Sequence, residues 1–286
     1  MAEPYRTRTT VLFAAGSDRA VLLRRGPRKL FRLIGWDTGN DSFTPGQWMR
    51  GQVELSDLSP GGDKLLYWAA QYHVRSHAQR REPGAFDPAT LPRATPFKPR
   101  GRRKVPRYLR PLAGAVAAMP RRIEQTWTAV SRPPYFTALA LWPSIGTWTG
   151  GGVFRSEREI VLWEPVEALA PAAGVALPNG IAVRSVNQLD DGAKDFVRSA
   201  YRPALAESEE HGSIAEALTL AGLSFVDWIS LRRGRDMLFA GDGRIWCLER
   251  WASVAPADYL GKARLLADFR EMSFEPITPP DEAMQW

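Results

Sequence analysis

A turn followed by a short apolar run, at residues 58–72, constrains the fold of this chain more than any other stretch. In the turn, Ser59-Pro60-Gly61-Gly62-Asp63, the proline presets φ at the first corner and the glycines accept the positive φ that closes it. Residues 64–72 are apolar and aromatic but too short for an ordinary helix. They therefore predict a largely buried β-strand.

Strand-like runs with turn residues between them recur along the chain. Four precede residue 58, so five strand candidates fall within about seventy residues and predict an antiparallel meander. Eleven Trp residues, 23 Pro and 24 Gly agree with strands and turns and disfavour a helical bundle. The other runs are residues 9–15, 19–24, 30–36, 47–55, 125–130, 135–142, 159–163, 180–184, 243–249 and 265–269.

The Ser-Pro-x-Gly turn with its apolar strand at residues 58–72 resembles one blade of the WD-like and Tol-associated β-propellers. The resemblance implies a mainly β fold, a small or incomplete β-propeller of antiparallel meander blades, with a β-sandwich as the alternative. An internal echo agrees with repeated blades, because residues 23–31 and 231–239 match at Leu, Arg, Arg, Gly, Leu and Phe.

We expect one β-rich domain over residues 1–286 with two insertions. Residues 75–122 contain eight prolines, which forbid continuous helix or sheet, and thirteen Lys or Arg against two acidic residues. This basic Pro-rich insertion carries +11; since the whole chain carries +7, the remainder carries −4. Residues 188–222 predict a short helical insert, in which Ser213 and Glu216 are spaced as a capping box.

No motif of catalysis or metal binding stands out. The chain has no Gly-x-Ser-x-Gly elbow, no His-Glu-x-x-His and no P-loop. His73 and His77 are four residues apart, but they follow a strand, so helical ligand spacing does not apply. The single cysteine, Cys247, lies in an alternating run typical of a buried position. We therefore expect no catalytic residue, no cofactor and no metal.

These observations favour a non-enzymatic protein–protein interaction module or scaffold subunit. The basic cluster would steer the approach of a protein partner, and exposed tryptophans would supply an apolar centre. The alternative is a nucleic-acid-binding protein that contacts phosphates through residues 98–110. The candidate partner-binding residues are Arg100, Arg102, Arg103, Lys104, Arg107, Arg110, Trp127, Trp142 and Trp148.

A carbohydrate-active propeller hydrolase is a further alternative. Such enzymes place two or three acids at blade starts, and tryptophan stacks on sugars. Four aspartates fall at predicted turns, where an aspartate more often caps its own backbone. We expect them to be scattered over separate turns: Asp37, Asp57, Asp63 and Asp236.

Hydropathy and the N-terminal residues bear on localisation. No stretch approaches 18 consecutive apolar residues, so we expect no membrane span. The first eight residues contain no apolar signal-peptide core. The expected localisation is cytoplasmic.

Overall fold

The structure is a computed structural model, and it describes residues 7–26, 30–70, 126–143, 150–163, 169, 171, 177–192 and 209–286. Of these residues, 48% lie in strands and 16% in helices, which confirms a mainly β fold. The basic Pro-rich insertion predicted at residues 75–122 lies outside the described residues.

The first two sheets are antiparallel meanders of four strands each. In both sheets, short turns separate successive apolar runs, so consecutive strands lie side by side. Sheet 1 consists of β1 (Arg8–Phe13), β2 (Arg19–Gly26), β3 (Leu30–Asp37) and β4 (Ser42–Arg50). Sheet 2 consists of β5 (Gln52–Leu58), β6 (Leu65–Ala70), β7 (Thr126–Ser131) and β8 (Ala138–Pro143).

Sheet 4 repeats the meander, whereas sheet 3 departs from it. Sheet 3 has three strands in the order β9-β10-β11, and β10 pairs with β11 in parallel. Its strands are β9 (Gly152–Ser156), β10 (Glu159–Leu162) and β11 (Ala182–Ser185). Sheet 4 consists of β12 (Trp228–Arg233), β13 (Asp236–Gly241), β14 (Arg244–Leu248) and β15 (Arg264–Asp268).

The sheets stack face to face in the order 3, 2, 1, 4. Alternate residues of each strand point to opposite faces, so a sheet between two others contributes to two hydrophobic cores. Leu66 and Trp142 of sheet 2 pack against sheet 3, whereas Tyr67 packs against sheet 1. On the far face of sheet 1, Leu22 and Trp36 pack against sheet 4.

The outer face of sheet 4 is covered by helices instead of another sheet. The helix α1 (Glu209–Leu220) buries Ile214 and Leu218 against it, together with Tyr259 of α2 (Tyr259–Lys262). The helix α1 lies in the C-terminal part of the insert expected at residues 188–222 and begins four residues before Ser213. Among the described helices, none has the length and apolar character needed to cross a membrane.

The first and last sheets are joined by polar contacts as well as by their core. The carboxylate of Asp227 accepts hydrogen bonds from the Thr9 amide (2.8 Å) and hydroxyl (3.2 Å). The Thr9 hydroxyl in turn accepts one from the indole of Trp228 (3.3 Å). The N-terminal strand is thereby anchored beside the C-terminal sheet.

Two predictions about strand order need correction. Residues 47–55 were expected to form one strand, but the chain breaks at Gly51 (φ +140°), and β4 and β5 belong to different sheets. The echo between residues 23–31 and 231–239 joins β2 to β3 in sheet 1 but β12 to β13 in sheet 4. The matching hairpins therefore hold different places in their sheets, because the same turn chemistry suits any antiparallel connection.

Candidate functional site

The turn at residues 59–63 brings the connecting segments of three sheets together. Within it, the Gly62 amide donates to the Ser59 carbonyl at 2.8 Å, and Gly62 has φ +77°. A side chain at this position would be strained, and its Cβ would lie 2.6 Å from the Cβ of Arg19. Gly62 therefore permits the close approach of sheets 1 and 2.

The same turn contacts the β1–β2 connection of sheet 1 and the β9–β10 connection of sheet 3. The Gly16 amide donates to the Pro60 carbonyl at 2.9 Å, and the Ser17 hydroxyl donates to the Gly61 carbonyl at 3.0 Å. The carboxylate of Glu157 accepts a hydrogen bond from the Gly61 amide. The turn at residues 59–63 is thus a junction between sheets 1, 2 and 3, and we call it the junction.

Charged side chains complete the junction. Lys64 Nζ lies 3.1 Å from Asp63 and 3.2 Å from Glu157, and Arg132 lies 3.7 Å from Asp63. Burial opposes the ionisation of Asp63, but hydrogen bonds from Lys64 and Ser59 outweigh it and hold its pKa below the ordinary value. Asp63 is therefore a stable anion at neutral pH.

An open cleft of about 280 Å³ lies between sheets 1 and 2 beside this junction. Its walls carry two cations and two carboxylates around apolar and glycine positions. Arg19 forms no side-chain hydrogen bond or ion pair with the residues that the structure describes. The lining residues are Arg19, Ala20, Val21, Gly35, Trp36, Asp37, Thr44, Gly62, Asp63, Arg132, Pro133 and Pro134.

Two of the four aspartates named from the sequence, Asp37 and Asp63, line this cleft. Asp37 accepts hydrogen bonds from the Gly39 amide and the Asn40 side chain, as expected of a carboxylate that caps its own turn. Asp236 does not line the cleft, and it accepts from the Arg250 amide. The aspartates thus contact different segments.

Among the four aspartates named from the sequence, Asp57 has the pKa that burial changes most. Burial raises its pKa from 3.8 to about 6, against the opposing effect of hydrogen bonds from the Phe154 amide (2.7 Å) and its neighbour Leu58 (2.9 Å). A general acid needs such a raised pKa and access to substrate. Asp57 instead links β5 to β9 and is not among the cleft residues.

The proposed partner-binding residues are distributed unevenly. Trp142 is fully buried in the core between sheets 2 and 3, where its indole donates to the Leu169 carbonyl at 2.9 Å. Trp127 is 7% exposed in the core between sheets 1 and 2. Both rings therefore contribute to hydrophobic cores between sheets and present almost no surface to a partner in this structure. Outside the described residues lie Arg100, Arg102, Arg103, Lys104, Arg107, Arg110 and Trp148.

In the part of the chain that the structure describes, no group of three or more His, Cys, Asp or Glu side chains is arranged so that it could hold a metal ion. His73 and His77 lie outside it, and Cys247 is a buried thiol in β14. Sequence reasoning missed Arg19 and Arg132 as cleft residues. The sequence signal that was available is their position at the ends of predicted strands. In a meander, such ends can lie at the same edge of neighbouring sheets.

In the comparisons with known proteins, no family model, curated protein or solved structure matches this chain.

Proposed function

We propose that this chain is a non-enzymatic protein–protein interaction module built as a small, open β-propeller, and that the cleft between sheets 1 and 2 receives a segment of a protein partner. The observation that carries the proposal is the pairing of charges of both signs in one open cleft.

The stacking of the sheets supports the propeller interpretation. The first strand of one sheet contacts the first strand of the next, β12 with β1, β1 with β5, and β5 with β9. Blades that pack through their innermost strands around an axis have this neighbour pattern. The helices on the outer face of sheet 4 occupy the side on which a further blade would pack, so the array is open there.

The chemistry of the cleft supports a polypeptide as its occupant. Arg19 and Arg132 can donate to main-chain carbonyls and carboxylates, while Asp37 and Asp63 can accept from amides and cationic side chains. The Pro133 and Pro134 rings add apolar surface. A polyanion would meet two carboxylates in the same space, so the cleft itself favours protein over nucleic acid.

The basic insertion has a steering role in this proposal. Its +11 charge attracts acidic partners over distance, while the cleft forms the final contacts. Replacing Arg102, Arg103 and Lys104 with Ala should therefore slow association more than it speeds dissociation. Binding of nucleic acid through residues 98–110 would instead weaken steeply with salt.

Capture followed by kinetics tests the proposal. The tagged full chain is used to capture proteins from nuclease-treated native lysate, in parallel with Arg19→Glu and the control Arg235→Glu, an exposed arginine in the β12–β13 turn. A protein retained by wild type and Arg235→Glu is then purified, and its association and dissociation rates with each variant are measured. We expect Arg19→Glu to speed dissociation on the order of tenfold and to change association less, because Arg19 makes contacts of the bound complex in the cleft.

Two outcomes would contradict the proposal. One is equal binding of a purified partner to wild type and Arg19→Glu. The other is tight retention of single-stranded or duplex DNA at physiological salt that the Arg102/Arg103/Lys104 triple Ala variant loses, which would establish the nucleic-acid alternative.

A further inference from the structure

Three cross-strand neighbours form a row on the face of sheet 1 that looks toward sheet 4. Arg24 on β2 lies opposite Arg32 on β3, which lies opposite Trp48 on β4. The guanidinium carbons of Arg24 and Arg32 are 5.9 and 5.0 Å from the Trp48 ring centroid. The two arginines are only 2% and 5% exposed. We call these three residues the Arg–Trp–Arg row.

The C-terminal segment, residues 269–286, crosses this row and continues past the edge of sheet 1 to sheet 2. Side chains of the sheets hold it by its main-chain carbonyls, an interaction that any residue type can provide. The donors and acceptors are Arg24 to Phe269 (2.7 Å) and Arg270 (3.0 Å), Gln47 to Ile277 (3.3 Å), and Arg132 to Gln285 (2.7 Å).

The side chains of residues 273–285 in the segment contribute little burial. The Phe274 ring is tilted against Trp48, with the ring centroids 6.0 Å apart, and remains 61% exposed. Among residues 273–286 the structure buries one, Ala283. A segment with few buried apolar contacts opens at low free-energy cost. Phe269 and Met272 pack in the core between sheets 1 and 4, and Trp286 packs against the core between sheets 2 and 3. The part of the segment that can be displaced without opening these cores is therefore residues 273–285.

The charge of Arg32 is incompletely compensated. Arg32 donates to the Gly46 carbonyl at 3.3 Å, and its nearest carboxylate, Glu275, lies 3.9 Å away with a side chain 71% exposed. Burial lowers the pKa of Arg32, and Glu275 offsets this only in part. A charge-assisted contact between a guanidinium and a carboxylate is ordinarily about 2.7–2.9 Å. A better-placed acidic group would therefore bind this buried cation more strongly than Glu275 does.

We propose that the Arg–Trp–Arg row is a recognition site for an extended, acidic, proline-containing peptide segment of another protein, and that the C-terminal segment occupies this site in the isolated chain. The site is separate from the cleft, and the proposal does not depend on it.

The chemistry of the resident segment defines the partner. An aromatic residue followed by a carboxylate, as in Phe274-Glu275, meets Trp48 and Arg32. Pro276, Pro279 and Pro280 keep the chain extended and offer carbonyls without requiring acceptors for their own nitrogen atoms. Asp268 and Glu271 flank the two residues whose carbonyls accept from Arg24, and their charges disfavour a long polyanion there.

A peptide added to the full-length chain tests the proposal. The probe is a fluorescein-labelled synthetic peptide with the sequence of residues 273–286, and binding is followed by anisotropy. In the Phe274→Ser/Glu275→Gln variant the resident segment loses its side-chain contacts with Trp48 and Arg32 and keeps those of its carbonyls with Arg24. Both substituted side chains are mostly exposed, so the fold should persist. We expect this variant to bind the probe on the order of tenfold more tightly than wild type, because the internal competitor is weakened. A probe with Glu275→Gln should bind on the order of tenfold more weakly than the unmodified probe.

The row itself is tested by Arg32→Lys in the same variant. Lysine keeps the charge but loses the planar fork, so discrimination between the two probes should diminish. Equal affinity of wild type and the variant for the probe, or equal affinity for the Glu and Gln probes, would overturn the proposal. A concentration-dependent dimer of the wild-type chain that the probe dissociates would overturn it too, because it would make a second copy the occupant.

Discussion

Replacing Asp57 with Asn should change how the stability of this protein depends on pH. Burial raises the pKa of Asp57 from 3.8 to about 6, so between these values the folded chain binds more protons than the unfolded chain. Stability from this group is fully present below pH 3.8 and is lost as pH rises through 6. A difference of about 2 pH units corresponds to about 3 kcal/mol in the free energy of unfolding. The amide introduced by Asp57→Asn cannot ionise, so the variant lacks this loss.

Urea unfolding followed by tryptophan fluorescence at pH 4, 5, 6 and 7 measures the effect. The unfolding free energy of Asp57→Asn minus that of wild type should rise by about 2.4 kcal/mol from pH 4 to pH 7. An offset at all pH values is expected as well, because an amide can accept only one of the two hydrogen bonds that Phe154 and Leu58 donate. A difference that is flat or that falls with pH would refute the reasoning.

Asp268→Asn serves as the matched control. Hydrogen bonds from Arg270 lower the pKa of Asp268 to about 2, against the opposing effect of burial. The stability that this group provides is present above pH 3.8 and is lost as pH falls toward 2. Its difference curve should therefore be flat between pH 5 and 7, where the Asp57 curve is still rising.

Two further substitutions test the cores and the junction. Tyr67→Phe should lower the unfolding free energy by about 1–3 kcal/mol, because the buried hydroxyl donates to the Phe136 carbonyl at 2.6 Å. The control Tyr135→Phe, at the half-buried residue next to Phe136, should change it by less than about 0.5 kcal/mol. Equal costs would contradict the assigned hydrogen bond. Gly62→Ala should lower the unfolding free energy by at least about 1–2 kcal/mol, because φ is +77° and the added Cβ would overlap Arg19. The control Gly212→Ala in α1, where the space around the residue is open, should be neutral or stabilising by up to about 1 kcal/mol. An unchanged unfolding free energy of Gly62→Ala would show that the junction relaxes freely.

The sequence predicts the local elements of this fold better than their assembly. The runs at residues 9–15, 19–24 and 30–36 correspond to β1, β2 and β3, because apolar alternation and turn chemistry act within a few residues. The parallel pairing of β10 with β11 was not predicted, since the partner of a strand depends on the course of the chain between the two. The capping-box spacing placed a helix start at Ser213, whereas α1 begins at Glu209.

Contacts made through the main chain leave no residue pattern, and this limits prediction of sites. Arg19 and Arg132 carry no motif, and only the meeting of two sheets brings them beside Asp37 and Asp63. The C-terminal segment is held through carbonyl oxygens, which every residue possesses. Its acidic, Pro-rich composition was visible, but the buried arginines that receive it sit inside an ordinary strand pattern.

Arg132 connects the cleft with the C-terminal segment. Its Nε donates to the Gln285 carbonyl at 2.7 Å, while another nitrogen of the same guanidinium lies 3.7 Å from Asp63 in the cleft wall. An anionic group that enters the cleft competes with Gln285 for this guanidinium and weakens the hold on the segment. By thermodynamic linkage, the reverse effect has the same size. Displacement of the segment leaves Arg132 available and strengthens binding of the anionic group in the cleft by the same factor. We therefore expect binding at the two proposed surfaces to be positively coupled through Arg132. Arg132→Lys should reduce this coupling, because lysine has no second donor nitrogen to span both acceptors.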